Sequence, residues 1–314
     1  MASGAGSPGG TELAAEAADP EDDYAEDTMV AVEQVTDPHA HHGEGPVWHP
    51  SWGGLRFVDM LAGDILTADL ATGAVTRTHI GEVAAAFRPR VGGGLVAANE
   101  RGFLLLADDG TIEHLGEVWS DPTIRMNEGG CDPHGRFYCG SMAFAGTPGA
   151  GTVYRLDPDR RVSVVLTDVT ISNGLAWAPE QHLAYYIDTR TQRVDAFDYD
   201  PARGIVAESR RPIVTIPGEH GGPDGMTVDA EGYLWVAMWG GSAVRRYAPD
   251  GRLDGVVELP VTQVTACTFG GSNLDELYIT TSRQGLPEGK QPSAGAIFVA
   301  ETGVRGLPVL PFAG

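Results

Sequence analysis

A short unit recurs six times along this chain, and that recurrence restricts its fold more than any other feature. Asn127-Glu-Gly-Gly-Cys-Asp-Pro, Asn173-Gly-Leu-Ala-Trp-Ala-Pro and Asp224-Gly-Met-Thr-Val-Asp-Ala share one frame: a small polar side chain, a short apolar strand, a turn, then a second strand. Glu44-Gly-Pro-Val-Trp-His-Pro fits the same frame, and weaker copies begin at Val83 and Thr265. The starting positions 44, 83, 127, 173, 224 and 265 lie 39, 44, 46, 51 and 41 residues apart. Such a period is that of a four-stranded propeller blade, about 40–50 residues.

Six blades account for nearly all of residues 30–314, so the reading is all-β, a single six-bladed β-propeller. Gly is abundant (43) and Pro frequent (21), with Asp109-Gly110 and Asp250-Gly251 as turn signals between short β-rich runs. A sandwich or jelly roll lacks this period. Closing the ring requires an edge partner, and the strand-like Met29–Val35 is expected to pair near Ala296–Val299 of the last blade.

The first 29 residues differ. They carry eight acids (Glu12, Glu16, Asp19, Glu21, Asp22, Asp23, Glu26 and Asp27) and no Lys or Arg. Such composition predicts a disordered tail and provides no secretory signal. Its Gly4-x-Gly6-x-x-Gly9 has neither the preceding strand nor the βαβ setting of a dinucleotide site. A net charge of −22 makes nucleic acid and anionic membrane poor partners. Three cysteines (Cys131, Cys139 and Cys267) match no zinc or redox spacing, and no apolar run is long enough for a membrane helix. A cytoplasmic protein, monomeric or weakly self-associating, is expected.

In a propeller the innermost strands line a central channel, so the first residues of the six units should converge at one face. They read Glu44, Val83, Asn127, Asn173, Asp224 and Thr265. Oxygen donors gathered there suit a hard divalent cation, which would also relieve the repulsion between two confined carboxylates. Arg125, two residues before Asn127, is placed to clamp a substrate. His39, His41 and His42 are read as a flexible polar approach loop, since no metal-binding histidine spacing accompanies them. Trp48, Trp177, Trp235 and Trp239 are read as blade packing, with Trp239 the one that could edge a pocket. No nucleophile elbow or P-loop is present.

At these residues the chain resembles the SMP-30/gluconolactonase family over about residues 40–285. The resemblance is carried by Glu44-Gly-Pro-Val-Trp, Arg125-Met-Asn-Glu-Gly-Gly-Cys-Asp-Pro-His-Gly-Arg-Phe-Tyr, Ile171-Ser-Asn-Gly-Leu-Ala-Trp, Tyr185-Tyr-Ile-Asp, Pro223-Asp-Gly-Met and Asp229-Ala-Glu-Gly-Tyr-Leu-Trp-Val-Ala. It implies a six-bladed propeller with a divalent metal on Glu44, Asn173 and Asp224, and substrate contacts from Arg125 and Asn127. Calcium is the first expectation for the ion, with zinc, manganese and magnesium as alternatives within the family.

One departure is informative. Where regucalcin-like members carry an acidic pair after Gly-Ser/Thr-Met, this chain has Phe144 and Ala145. The expected substrate is therefore a lactone less hydroxylated than gluconolactone. Asp224 is expected to act both as metal ligand and as general base. A non-catalytic calcium-binding regulator, a metal-dependent biosynthetic enzyme and a scaffold for protein partners are the competing expectations.

Overall fold

The computed structural model describes residues 30–314, preceded only by Met1 and Gly4, so the expected disordered tail lies otherwise outside the described residues. Six four-stranded antiparallel sheets are present, five of them built from consecutive strands. Their inner strands are Gly43–His49, Ala86–Pro89, Ile124–Cys131, Ser172–Trp177, Gly222–Val228 and Val264–Gly270, taken here as blades 1 to 6. Each inner strand packs on that of the next blade, and blade 6 returns to blade 1. The fold is a six-bladed β-propeller.

Blade 6 is completed from the other end of the chain. Val32–Gln34 pairs antiparallel with Ile297–Glu301, in the register Val32 to Ala300 and Gln34 to Phe298. The Val35 amide donates to the Ile297 carbonyl at 2.9 Å, and the Ile297 amide to Thr36 Oγ1 at 3.0 Å. The ring thus closes where the sequence placed it, which removes an exposed edge.

Aspartates set the turns. After the inner strands of blades 3 and 5, Asp132 accepts from the amides of His134 and Arg136, and Asp229 from those of Glu231 and Tyr233. These are turns closed by an Asp side chain in place of a backbone acceptor. Between blades the core is aromatic and aliphatic: Trp48 stacks on Tyr278 at 5.4 Å, and Trp235 meets Phe269 edge-on at 5.6 Å. Trp48, Trp177 and Trp235 pack between blades as the sequence implied. Trp239 lines a cavity instead.

Among the described residues the helical content is four single 3-10 turns, and no helix is long and apolar enough to cross a membrane. Cys131, Cys139 and Cys267 are buried free thiols. Val83 does not open an inner strand, because that of blade 2 begins at Ala86.

Candidate active site

In five blades the pairing of the first two strands slips by a bulge, and the slip falls on or beside the repeat's leading residue. The shifts lie between Glu44 and Val47, Met126 and Gly129, Ser172 and Leu175, Pro223 and Met226, and Val264 and Ala266. A bulge leaves a residue unpaired and re-aims its side chain. Blade 2 pairs regularly from Ala86 to Pro89 and contributes no polar group at this level.

Glycine makes this convergence possible. A Cβ on Gly174 would lie 2.7 Å from Met226 Cβ, and one on Gly225 2.5 Å from Ala266 Cβ. The residues following Asn173 and Asp224 therefore have to be glycine for neighbouring inner strands to approach.

Glu44, Arg125, Asn127, Asn173 and Asp224 all line one cavity of about 240 Å³. Each is at least 95% buried. A directional chain fixes the amides: Arg125 Nη1 donates to Asn127 Oδ1 at 2.6 Å, Asn127 Nδ2 to Asn173 Oδ1 at 3.0 Å, and Asn173 Nδ2 to Thr189 Oγ1 at 2.7 Å. Asn127 Nδ2 also donates to the Ser172 carbonyl at 2.7 Å. Arg125 Nη1 further reaches the Met126 carbonyl, while its Nε has no partner.

The carboxylates are uncompensated. Burial first, then the charge of Glu128, pushes the Glu44 carboxyl well above the usual range. Burial, then Glu44 and Glu128, does the same to Asp224. Arg125 opposes both shifts without cancelling them. Burial in turn pulls Arg125 down to about 10, which leaves it cationic at neutral pH. Two buried carboxyls with one guanidinium are an arrangement that a hard divalent cation satisfies, and the oxygens of Glu44, Asp224 and Asn173 could serve as donors to one. Among the described residues no three His, Cys, Asp or Glu side chains gather as a metal group, so such an ion rests on two carboxylates and an amide.

The histidine reading needs correction. His42 is 4% exposed and lines the cavity rather than lying in a flexible loop. Its amide and that of His41 donate to Asp59 Oδ1, both at 3.0 Å. Its Nδ1 bonds Ser282 Oγ at 2.8 Å, its Nε2 lies 4.0 Å from Glu44 Oε1, and its ring meets Trp239 edge-on at 5.7 Å. Burial, then Arg125, lowers its pKa to about 3, so the imidazole is neutral. Period-two alternation was the available signal, because residue 42 shares a strand face with residue 44.

Beyond Trp239 and Phe144, which the sequence had singled out, a second pattern of lining residues went unread there. Leu61, Phe144, Thr189, Trp239 and Gln284 line the cavity from the ends of second strands or the connections just after them. Every blade but the second supplies one. With Met142 and Ile171 they make a largely apolar wall. Phe144 is 54% exposed at the mouth, its ring 5.5 Å from the Arg125 guanidinium, whereas Ala145 is not part of the lining. Thr265 turns away, donating to the Gly43 carbonyl at 2.7 Å.

A family model, the SMP-30/Gluconolactonase/LRE-like region, matches residues 42–283. Regucalcin of Oryctolagus cuniculus is 38% identical over 299 residues, covering 91% of this chain and 100% of that protein. The solved luciferin-regenerating enzyme superposes with a TM-score of 0.83 at 30% identity, covering 91% of this chain and 100% of the other. The calcium-binding protein regucalcin from Agrobacterium tumefaciens gives 0.85 at 27% identity, covering 91% and 98%.

Proposed function

This chain belongs to the SMP-30/Gluconolactonase/LRE-like family, and from that premise we propose that it hydrolyses a lactone with few hydroxyl groups, at a site that holds one divalent cation on Glu44, Asn173 and Asp224. The observation that carries the reading is the pair of buried carboxyls, Glu44 and Asp224, both pushed up chiefly by burial, in a cavity that also presents Arg125. When bound, a divalent cation supplies Lewis acidity to the ester carbonyl and stabilises the developing oxyanion.

The remaining work falls to side chains. Asp224 accepts the proton of the attacking water. The new C–O bond forms at the carbonyl carbon, the ring C–O bond breaks, and the proton passes to the departing alkoxide. Arg125, its Nε free, and Asn127 orient the ring ester. Asn127 is itself held by the hydrogen bonds to Arg125 and Asn173, so little ordering remains for the reacting complex. His42, neutral through the working pH range, adds no second positive charge beside the cation. Leu61, Met142, Phe144, Ile171 and Trp239 cover the carbon face of the ring, where a sugar's hydroxyls would find few acceptors.

A panel of alkyl and sugar lactones, followed by the fall in pH with and without chelator, tests this reading. Ring opening that chelator removes and the cation restores is the expected result. Metal bound at the site with no lactone opened would instead favour a calcium-binding regulator, the description carried by the Agrobacterium relative.

A further inference from the structure

The six inner strands enclose a second cavity, formed by residues further along each strand. It measures about 370 Å³ and shares no lining residue with the first. Its wall is mostly apolar, with Leu175, Met226 and Val228 from the strands and the segment Leu307–Pro311 laid across them. Glu128, Trp177 and Arg88 stand in that wall with bonding capacity unused. Glu128 is 8% exposed and its Oε2 accepts no hydrogen bond; Trp177 is 7% exposed and its Nε1 donates none. Arg88 spends one N–H on the Phe87 carbonyl at 2.6 Å, and among the described residues no carboxylate oxygen lies within 4.0 Å of it.

Unsatisfied groups at this depth cost stability, so their convergence in one apolar chamber points to a ligand that completes them. Gly130 sits between two of these side chains. A Cβ on it would lie 3.2 Å from Arg88 Nη2 and 3.5 Å from Cζ3 of the Trp177 ring. Two donors, one cationic, call for an anion; one acceptor calls for a donor. A second metal is opposed by the Arg88 charge. Burial pushes the Cys131 and Cys267 thiols, also in the wall, upward, so neither is a ready nucleophile.

We propose that this chamber binds a small monocarboxylic acid with an apolar body and a hydroxyl group, its carboxylate taken by Arg88 and the Trp177 indole N–H and its hydroxyl by Glu128. Burial raises the Glu128 carboxyl to about 7, and a ligand anion arriving nearby raises it further, so binding near pH 8 takes up a proton. Access is provided by the covering segment. It is anchored at Gly306, whose amide donates to the Leu274 carbonyl at 2.7 Å, and at Phe312, whose amide donates to the Pro89 carbonyl at 2.8 Å. Among the described residues no backbone hydrogen bond outside the strands involves 307–311, so side-chain packing by Leu307, Val309 and Leu310 is what holds this wall in place.

Titration of the full-length protein with 3-hydroxyoctanoate, octanoate and octanol, the metal site being saturated with calcium, is the test. The hydroxy acid is expected to bind with proton uptake at pH 8, several-fold tighter than octanoate, with octanol weakest. Arg88→Gln should weaken it about tenfold or more, and Arg125→Ala should leave it unchanged. Should Arg88→Gln fail to fold, Gly130→Ala sets a methyl group 3.2 Å from Arg88 Nη2 and should weaken binding with the sheet signature intact. No saturable binding up to about 10 mM would overturn the proposal. So would binding abolished by Arg125→Ala and indifferent to Gly130→Ala.

Discussion

At one end of the channel Glu44 and Asp224 share a cavity with a single cation, Arg125. At the other, Arg88 has no acidic partner within ion-pair distance, and Glu128 stands with an empty acceptor. The same strands build both chambers, and adjacent residues (Glu44 and Gly45, Asn127 and Glu128) face different ones. Alternation along a strand already turns consecutive side chains to opposite faces, and the bulges in five inner strands re-aim the leading residue of each unit. A hard cation at the first chamber and a small hydroxy acid at the second, as proposed above, would each complete a set of buried polar groups.

The largest effect expected of any single change falls at the first chamber. Asp224→Ala removes a donor and the proton acceptor together, so lactone turnover should drop about a thousandfold or more. Metal analysis of the same sample should show the ion lost. Full metal-dependent turnover in this variant would dissolve the contrast, since the carboxylate pair would then be only a burden on the fold.

The second chamber predicts a pH effect of comparable size on stability. Glu128 has its folded pKa raised from 4.5 to about 7, so between those values the folded state holds a proton that the unfolded chain has released. Its contribution is harmless at low pH and becomes a penalty as pH rises through 7. Glu128→Gln should therefore gain stability relative to the parent as pH is raised from 4 to 8, reaching on the order of 3 kcal/mol. Denaturation at several pH values with the metal site saturated measures this difference. A gap that does not widen with pH would mean that Glu128 is ionised in both states and already paired.

Arg125→Ala tests the first chamber more gently. The donors to the cation stay, but a charged hydrogen-bond donor to the substrate goes. KM should rise about tenfold to a hundredfold with the ion retained. Loss of metal in this variant would instead make Arg125 a support for the amide chain through its 2.6 Å bond to Asn127.

Much of this arrangement was legible beforehand, for a physical reason. A blade repeats its chemistry at fixed phase, so Glu44, Asn127, Asn173 and Asp224 could be aligned by counting, and propeller geometry brings equal phases together. His42 was misjudged because three histidines near a glycine look like loop, although its separation of two from Glu44 puts both on one strand face. The unit at Val83 was placed three residues early, because blade 2 carries neither the bulge nor the polar leader that marks the others. The side chains after the second strands (Leu61, Phe144, Thr189, Trp239 and Gln284) have no common chemistry and therefore no common signal. The second chamber was hidden for another reason: Arg88 and Trp177 become neighbours only across Gly130.

The smallest effect expected is on specificity. Phe144 stands at the mouth of the first chamber with its ring 5.5 Å from the Arg125 guanidinium, in a wall otherwise made by Leu61, Met142, Ile171 and Trp239. Phe144→Glu would set a carboxylate beside that guanidinium and offer acceptors to sugar hydroxyls while removing apolar surface. The kcat/KM ratio of gluconolactone to an alkyl lactone should then rise about tenfold, the amount that one hydrogen-bonding group at a half-exposed position can discriminate. Because Phe144 is exposed, the fold should tolerate the change, and a ratio that does not move cannot be blamed on unfolding. It would mean that the lactone sits deeper, against Trp239 and Ile171, and that the apolar mouth is a passage rather than a selector.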